Sequence, residues 1–184
     1  VLLAAGLTVY IVRTIAAMLA DRRLRIRHRN SRTTLAPVDV GFMQGTVLGG
    51  PLWCFVADEL CRRLADIGKP SLQRAASLAV LVADDIVVAA KGTRANLVRN
   101  AIQLAATNVH MWASRWGIQL STKSRCLLLS GSPSGTDPWL QPLDTPTPLP
   151  ISRTPMKVLG VLFDTSMSFI AHAEYVSQKA TSHL

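Results

Sequence analysis

Leu78-Ala-Val-Leu-Val-Ala-Asp-Asp-Ile-Val-Val-Ala-Ala90 is the stretch that decides how this chain folds. Short apolar runs bounded by a turn read as strands, so Leu78 to Val82 and Ile86 to Ala90 are expected to form a β-hairpin buried on both faces. Between them stand Asp84 and Asp85, adjacent carboxylates that repel one another. Burying even one unpaired charge costs several kcal/mol. The pair must therefore lie at an exposed tip, give up part of its charge, or be neutralised by a cation. Magnesium takes hard oxygen ligands and commonly only one or two protein carboxylates beside substrate phosphates, which suits such a tip. A solvated acidic turn accounts for the same residues.

Downstream, Thr93 is placed to cap a long amphipathic helix in which Leu97, Val98, Ala101, Ile102, Ala105, Val109, Trp112 and Trp116 recur at three and four, with Gly117 as its stop. Trp112 and Trp116 share that apolar stripe and read as core anchors rather than base-stacking platforms. Short strands are expected at Ile118 to Leu120 and Arg125 to Leu129. Seven of the ten prolines fall between Ser130 and Pro155, which reads as a loop or linker. Met156 to Phe163 then reads as a strand and Ser168 onward as a helix.

Upstream of the hairpin, Val40 to Pro51 is extended with a glycine-punctuated turn, and Leu52 to Ile67 is a helix ended by Gly68-Lys69-Pro70. Residues 3 to 20 read as an all-round apolar core helix. Arg13 interrupts that run well short of the roughly 20 residues a bilayer span needs. Basic residues follow the run instead of preceding it, which argues against a secretory signal. The chain opens at Val1 inside the apolar stretch, which reads as a fragment.

Charge is concentrated near the beginning. The 20 Lys and Arg against 11 Asp and Glu give a formal +9, and residues 1 to 37 hold seven arginines and one acid. An anionic partner follows: nucleic acid, an anionic membrane face or an acidic protein. Hydrophobic content of 49% with 17% charged residues excludes a disordered polyelectrolyte. From Arg23 to Arg29, arginine alternates with Leu24, Ile26 and His28, so a strand would put Arg23, Arg25, Arg27 and Arg29 on one face. That stripe fits phosphate contact through bidentate donors, and equally an edge strand protected by charge. The three cysteines have neither zinc-site nor redox spacing and read as reduced thiols in an intracellular protein.

Four segments occur in a distinctive order: Gly41-Phe-Met-Gln44-Gly45-Thr-Val-Leu-Gly-Gly-Pro51, Val82-Ala-Asp-Asp85, Trp116-Gly-Ile-Gln-Leu-Ser-Thr-Lys123-Ser, and Lys157-Val-Leu-Gly160-Val-Leu-Phe-Asp164. In that order they resemble the reverse transcriptases (RNA-directed DNA polymerases) of non-LTR retrotransposons, over nearly the whole chain. The resemblance implies an α+β, palm-like fold, a small mainly antiparallel sheet with helices packed on one face, truncated at both ends. Residues 1–129 would be a partial palm, 130–155 the linker, and 156–184 the end of the palm and the start of a connection to an absent thumb. The helix from Arg94 to Trp116 would cover the hairpin.

By the same resemblance, Asp84 and Asp85 match the paired aspartates that hold Mg2+, or Mn2+, against a primer 3′-hydroxyl and a nucleotide α-phosphate. Val82 and Ala83 lie in the same turn at substrate-binding positions. Gln44 and Gly45 match a Gln-Gly turn beside template and incoming nucleotide, Lys123 a loop lysine near the leaving pyrophosphate, and Lys157 to Gly160 the hairpin that positions the primer end. Each has a plain reading beside it: an ordinary turn, a solvated lysine, a packing glycine.

Departures from the family pattern are specific. Val82 stands where an aromatic residue is usual, Met43 where proline is usual, and Ser121-Thr122 where Asn-Pro is usual. Neither Asp21 nor Asp39 sits where the family's third metal-binding aspartate belongs. The implied partners are an RNA template, a DNA primer and deoxynucleotides in a parent protein, without a membrane, in an intracellular and nuclear setting. This chain alone is expected to be inactive. A non-catalytic, basic nucleic-acid-binding relic and a membrane-associated basic protein are the competing readings.

Overall fold

The structure is a computed structural model that describes residues 2–38, 41–42, 45–67, 76–129, 139–140, 149–152 and 154–182. It is α+β, with four helices and small, mainly antiparallel sheets among the described residues. Two compact units are present, Val1–Glu59 and Leu60–Leu184.

In the first unit, a turn at residues 2–6 precedes α1 (Val9–Leu19). Gly6, at φ +86, separates the two, so the helix begins later than the apolar composition predicts. Only Ile15 of α1 is buried, while Val9, Tyr10, Ile11 and Met18 are exposed. The expected all-round core helix is thus a helix with one anchored face. A small apolar pocket brings Ile15, Met18 and Leu19 together with Phe42, Leu48 and Leu52.

The basic segment is not one strand. β1 (Arg23–Leu24) pairs with β4 (Ala36–Pro37), and β2 (Arg27–His28) pairs with β3 (Ser31–Arg32), all antiparallel. Residues 23 to 37 are exposed throughout, so Leu24 and Ile26 face water as the arginines do. The two-faced strand expected from alternation fails because, among the described residues, no apolar layer covers its second face.

α2 (Gly49–Ile67) contains the expected helix and starts slightly earlier. Pro51 is tolerated in its first turn, where its missing N–H has no helical partner to lose. Leu52, Val56, Leu60 and Leu64 recur every four residues and are buried, with Leu60 wholly inaccessible. Gly68, Lys69 and Pro70, the expected stop, lie outside the described residues.

In the second unit, β5 (Ala76–Val82) and β6 (Asp85–Lys91) form the hairpin in register Val82↔Asp85, Val80↔Val87, Leu78↔Ala89. α3 (Ala95–Arg115) packs against both strands. Ser77, Ala79 and Leu81 with Ile86, Val88 and Ala90 make the half-buried face. Leu78, Val80 and Val82 lie on the other, open face at 65%, 40% and 44% exposure. Burial on both faces is therefore corrected to burial on one. The helix covers the hairpin as expected, and its Trp112 is 1% exposed, a core anchor.

Gly117, at φ +65, ends α3 with the N–H of Ile118 donating to the Ala113 carbonyl and that of Gly117 to Ser114. These are the two bonds of a Schellman stop. Thr93 does not cap the helix: the N-cap position is Arg94, without a side-chain bond. Residues 118–120 form no strand.

β7 (Cys126–Leu127) pairs in parallel with β9 (Leu149–Ser152), which also pairs antiparallel with β8 (Trp139–Leu140). Two short strands thus lie within the proline-rich stretch. Met156 to Phe163 is a hairpin instead of a single strand, β10 (Met156–Val158) and β11 (Val161–Phe163), because Leu159 and Gly160 both take positive φ in the loop between them. Gly160 is therefore a turn residue. α4 (Ile170–Thr181) follows and packs on β11.

Candidate functional site

Asp84 and Asp85 emerge from the tightest turn available to an antiparallel pair. Val82 and Asp85 face each other in register, leaving Ala83 and Asp84 as a two-residue loop. Ala83 holds φ +53, a left-handed conformation costing an L-residue about 1–2 kcal/mol. Strain of this kind persists where the surroundings fix the turn, here seven paired positions ending at Val82↔Asp85.

Both carboxylate residues are exposed, the first of the arrangements their charge allows. Asp85 falls in register on the face that α3 leaves open, with Val80 and Val82 as its apolar neighbours. Two adjacent hard-oxygen donors at an open tip fit a single magnesium that keeps waters and substrate phosphates in its remaining positions. Among the described residues no group of three or more His, Cys, Asp or Glu could hold a metal ion.

Other expected site residues occupy separate elements. Lys123 is exposed in the turn after α3, where its N–H donates to Ser121 Oγ at 3.2 Å. Gly45 takes φ +82, a left-handed backbone that glycine adopts without steric cost, while Gln44 lies outside the described residues. Arg23, Arg25, Arg27 and Arg29 are exposed on the irregular hairpin β1–β4. Their neighbour Arg22 is structural, with Nε donating to Leu19 O at 3.0 Å and Nη1 to Gly41 O at 2.7 Å.

Lys157 is held where composition gave no hint. Its Nζ donates to Tyr175 Oη at 2.8 Å and lies 4.6 Å from the centroid of that ring. The Lys157 hydrogen bond, then its charge, then that of Lys179 lower the Tyr175 pKa from its ordinary value. His172 stacks on Tyr175 with centroids 6.4 Å apart and accepts the Leu162 N–H at Nδ1. The i, i+3 pair His172–Tyr175 was the available signal, because residues so spaced share a helix face.

Asp164 was legible only as the last residue of the fourth motif. Its carboxylate accepts from the Ser166 N–H and hydroxyl, the Ser168 N–H and hydroxyl, and the Phe169 N–H. These bonds, the Ser166 hydroxyl foremost, hold its pKa well below the usual carboxylate range. They also shape the loop that delivers Phe169, at φ +58, to the start of α4, its ring edge-on to Phe163 at 5.6 Å.

Cys54, Cys61 and Cys126 are free, and burial pushes the Cys126 thiol up to about 11. That makes Cys126 a poor nucleophile, since the thiolate is the reactive form. No helix among the described residues is long and apolar enough to cross a membrane.

Over 158 residues, 84% of its length, the chain is 30% identical to a Drosophila melanogaster protein named "Probable RNA-directed DNA polymerase from transposon X-element". It is 29% identical over 166 residues, 88% of its length, to the same species' "Probable RNA-directed DNA polymerase from transposon BS". The matched regions are 16% and 17% of those proteins, so the chain spans about a sixth of the length of the curated relatives it matches. No family model and no solved structure matches it.

Proposed function

We propose that the chain is a fragment of a non-LTR retrotransposon reverse transcriptase, as its similarity to two transposon RNA-directed DNA polymerases supports, and that it forms part of the palm, with Asp84 and Asp85 at the nucleotidyl-transfer site. The observation that carries this reading is the paired, exposed carboxylates on a two-residue turn, backed by α3 and open on the face bearing Asp85. In the parent protein, Mg2+ held by both side chains would supply the positive charge that in-line phosphoryl displacement requires. Ala83 and Val82 shape the turn against which the primer end and the nucleotide would lie.

The remaining residues position and neutralise. Gln44 and Gly45 would border the template and the incoming deoxynucleotide, the glycine letting the backbone approach closely. Lys123 would face the leaving pyrophosphate. The β10–β11 hairpin, with Lys157 and Gly160, would set the primer end, and Arg23, Arg25, Arg27 and Arg29 would contact phosphates. A nuclear site of action suits such work.

Alone, the chain is proposed to be inactive, because alignment and charge neutralisation are needed together and no third carboxylate joins Asp84 and Asp85 among the described residues. That same observation favours, as a second reading, a relic that binds nucleic acid without chemistry.

Mn2+ titration followed by electron paramagnetic resonance tests the metal site in the 184-residue chain. The expected result is weak binding that Asp84→Asn and Asp85→Asn each abolish. Binding unchanged in both variants overturns the assignment. Primer extension on a primed RNA template is expected to be absent for the chain alone. Extension that Asp84→Asn eliminates would retain the polymerase and refute the inactivity.

A further inference from the structure

The register of the basic hairpin changes partway along it. Leu24 faces Ala36, but Arg27 faces Arg32 and His28 faces Ser31, a shift of one residue. Carried on from Leu24↔Ala36, the original register would set Arg27 opposite Thr33 and Arg32 opposite His28. The extra residue sits around Thr34–Leu35, after the Ile26 N–H has bonded to Thr33 Oγ1 and the Thr33 N–H to the Ile26 carbonyl. Bulges of this kind re-aim side chains. This one sets Arg27 and Arg32 directly across from each other in a two-stranded ribbon, where opposed residues share a face.

Folding gives no reason for that juxtaposition. Directly opposed like charges destabilise a strand pair, with Cβ atoms only about 4.5–5.5 Å apart. No Asp or Glu occurs from Arg22 to Val38, and both arginines are exposed. Arg27 makes one long bond, from Nε to the Arg29 carbonyl at 3.5 Å. Planar forks on two directly opposed residues can share one tetrahedral anion, each donating two N–H bonds and the anion offsetting their repulsion.

We propose that Arg27 and Arg32 form a cross-strand clamp on a backbone phosphate of a nucleic-acid strand. The proposal rests on the reading of the basic hairpin as facing nucleic acid and adds Arg32, which lies outside the arginine alternation. It does not depend on the carboxylate turn. A phosphodiester is favoured over an isolated anion because Arg23, Arg25 and Arg29 extend the positive charge beyond the clamp. Single strand and duplex offer the same phosphate.

The test uses the whole chain and fluorescence anisotropy with a short labelled RNA, free and annealed to complementary DNA, across a range of salt. Arg27→Lys and Arg32→Lys keep the charge and remove the fork. Each is expected to weaken binding about threefold to tenfold at an unchanged salt slope, with the double variant no weaker than either single one. Arg27→Ala is expected to reduce the slope by about one. The arm with the larger loss identifies strand or duplex as the source. Additive losses, an equal loss in Arg13→Lys on α1, or tighter binding to phosphatidylserine vesicles than to RNA overturns the clamp. Mn2+ binding at Asp84 is measured separately, so failure of the clamp and failure of the metal site are distinguishable.

Discussion

Ala83 occupies a position that glycine would fill without strain, since its φ of +53 forces Cβ against the following carbonyl. Ala83→Gly is expected to raise stability by about 0.5–1 kcal/mol in urea denaturation, the relieved strain exceeding the added chain entropy of glycine. The neighbouring carboxylates were legible in the sequence because burial of like charges is costly, which pointed to an exposed tip. The strained alanine was not, because nothing in Val-Ala-Asp-Asp fixes which two residues close the loop. Asp164 poses the complementary case. Its folded pKa is depressed, so the stability it adds is full above the unfolded carboxylate value of about 3.9 and is lost as pH falls below that toward the folded value. Asp164→Asn is expected to lower the melting temperature at neutral pH and to flatten its decline below about pH 4, read by circular dichroism.

Helices and hairpins were legible in proportion to how much of their determination is local. Gly117 stops α3 because a left-handed residue is needed to complete its two terminal bonds, and glycine adopts that conformation without steric cost. Thr93 resembles a cap in the same way but stands one residue before the observed N-cap position. α1 and the hairpin faces misled for a different reason: apolar composition signals what can be buried, and only a packed neighbour decides what is. Leu78→Ser on the open hairpin face is therefore expected to change stability by no more than about 0.5 kcal/mol, against about 3–5 kcal/mol for Trp112→Ala, both by urea denaturation. The joint between β10 and α4 has a spectroscopic signature. In a Tyr10→Phe background Tyr175 is the remaining tyrosine, and Lys157→Met is expected to shift its alkaline absorbance change to higher pH. An unmoved titration would mean that Lys157 does not hold the phenol.

Across the whole chain, the strongest positive charge and the paired carboxylates belong to different compact units, the arginine hairpin to Val1–Glu59 and the Asp84 turn to Leu60–Leu184. Charge concentration was readable from composition along the chain, whereas the bulge that opposes Arg27 and Arg32 was not, because register is a property of a pairing. Long-range attraction to a polyanion depends on the number and clustering of cations, while a hard cation needs oxygen donors in direct contact. The two capacities should therefore separate by mutation. Replacing Arg23, Arg25, Arg27 and Arg29 with Gln lowers the formal charge from +9 to +5 and is expected to cut the salt slope of RNA binding by about three to four. Mn2+ binding should persist in that variant. Asp84→Asn should do the reverse, abolishing Mn2+ binding while leaving the salt slope intact. Loss of Mn2+ binding in the arginine variant, with its circular dichroism spectrum unchanged, would refute that separation.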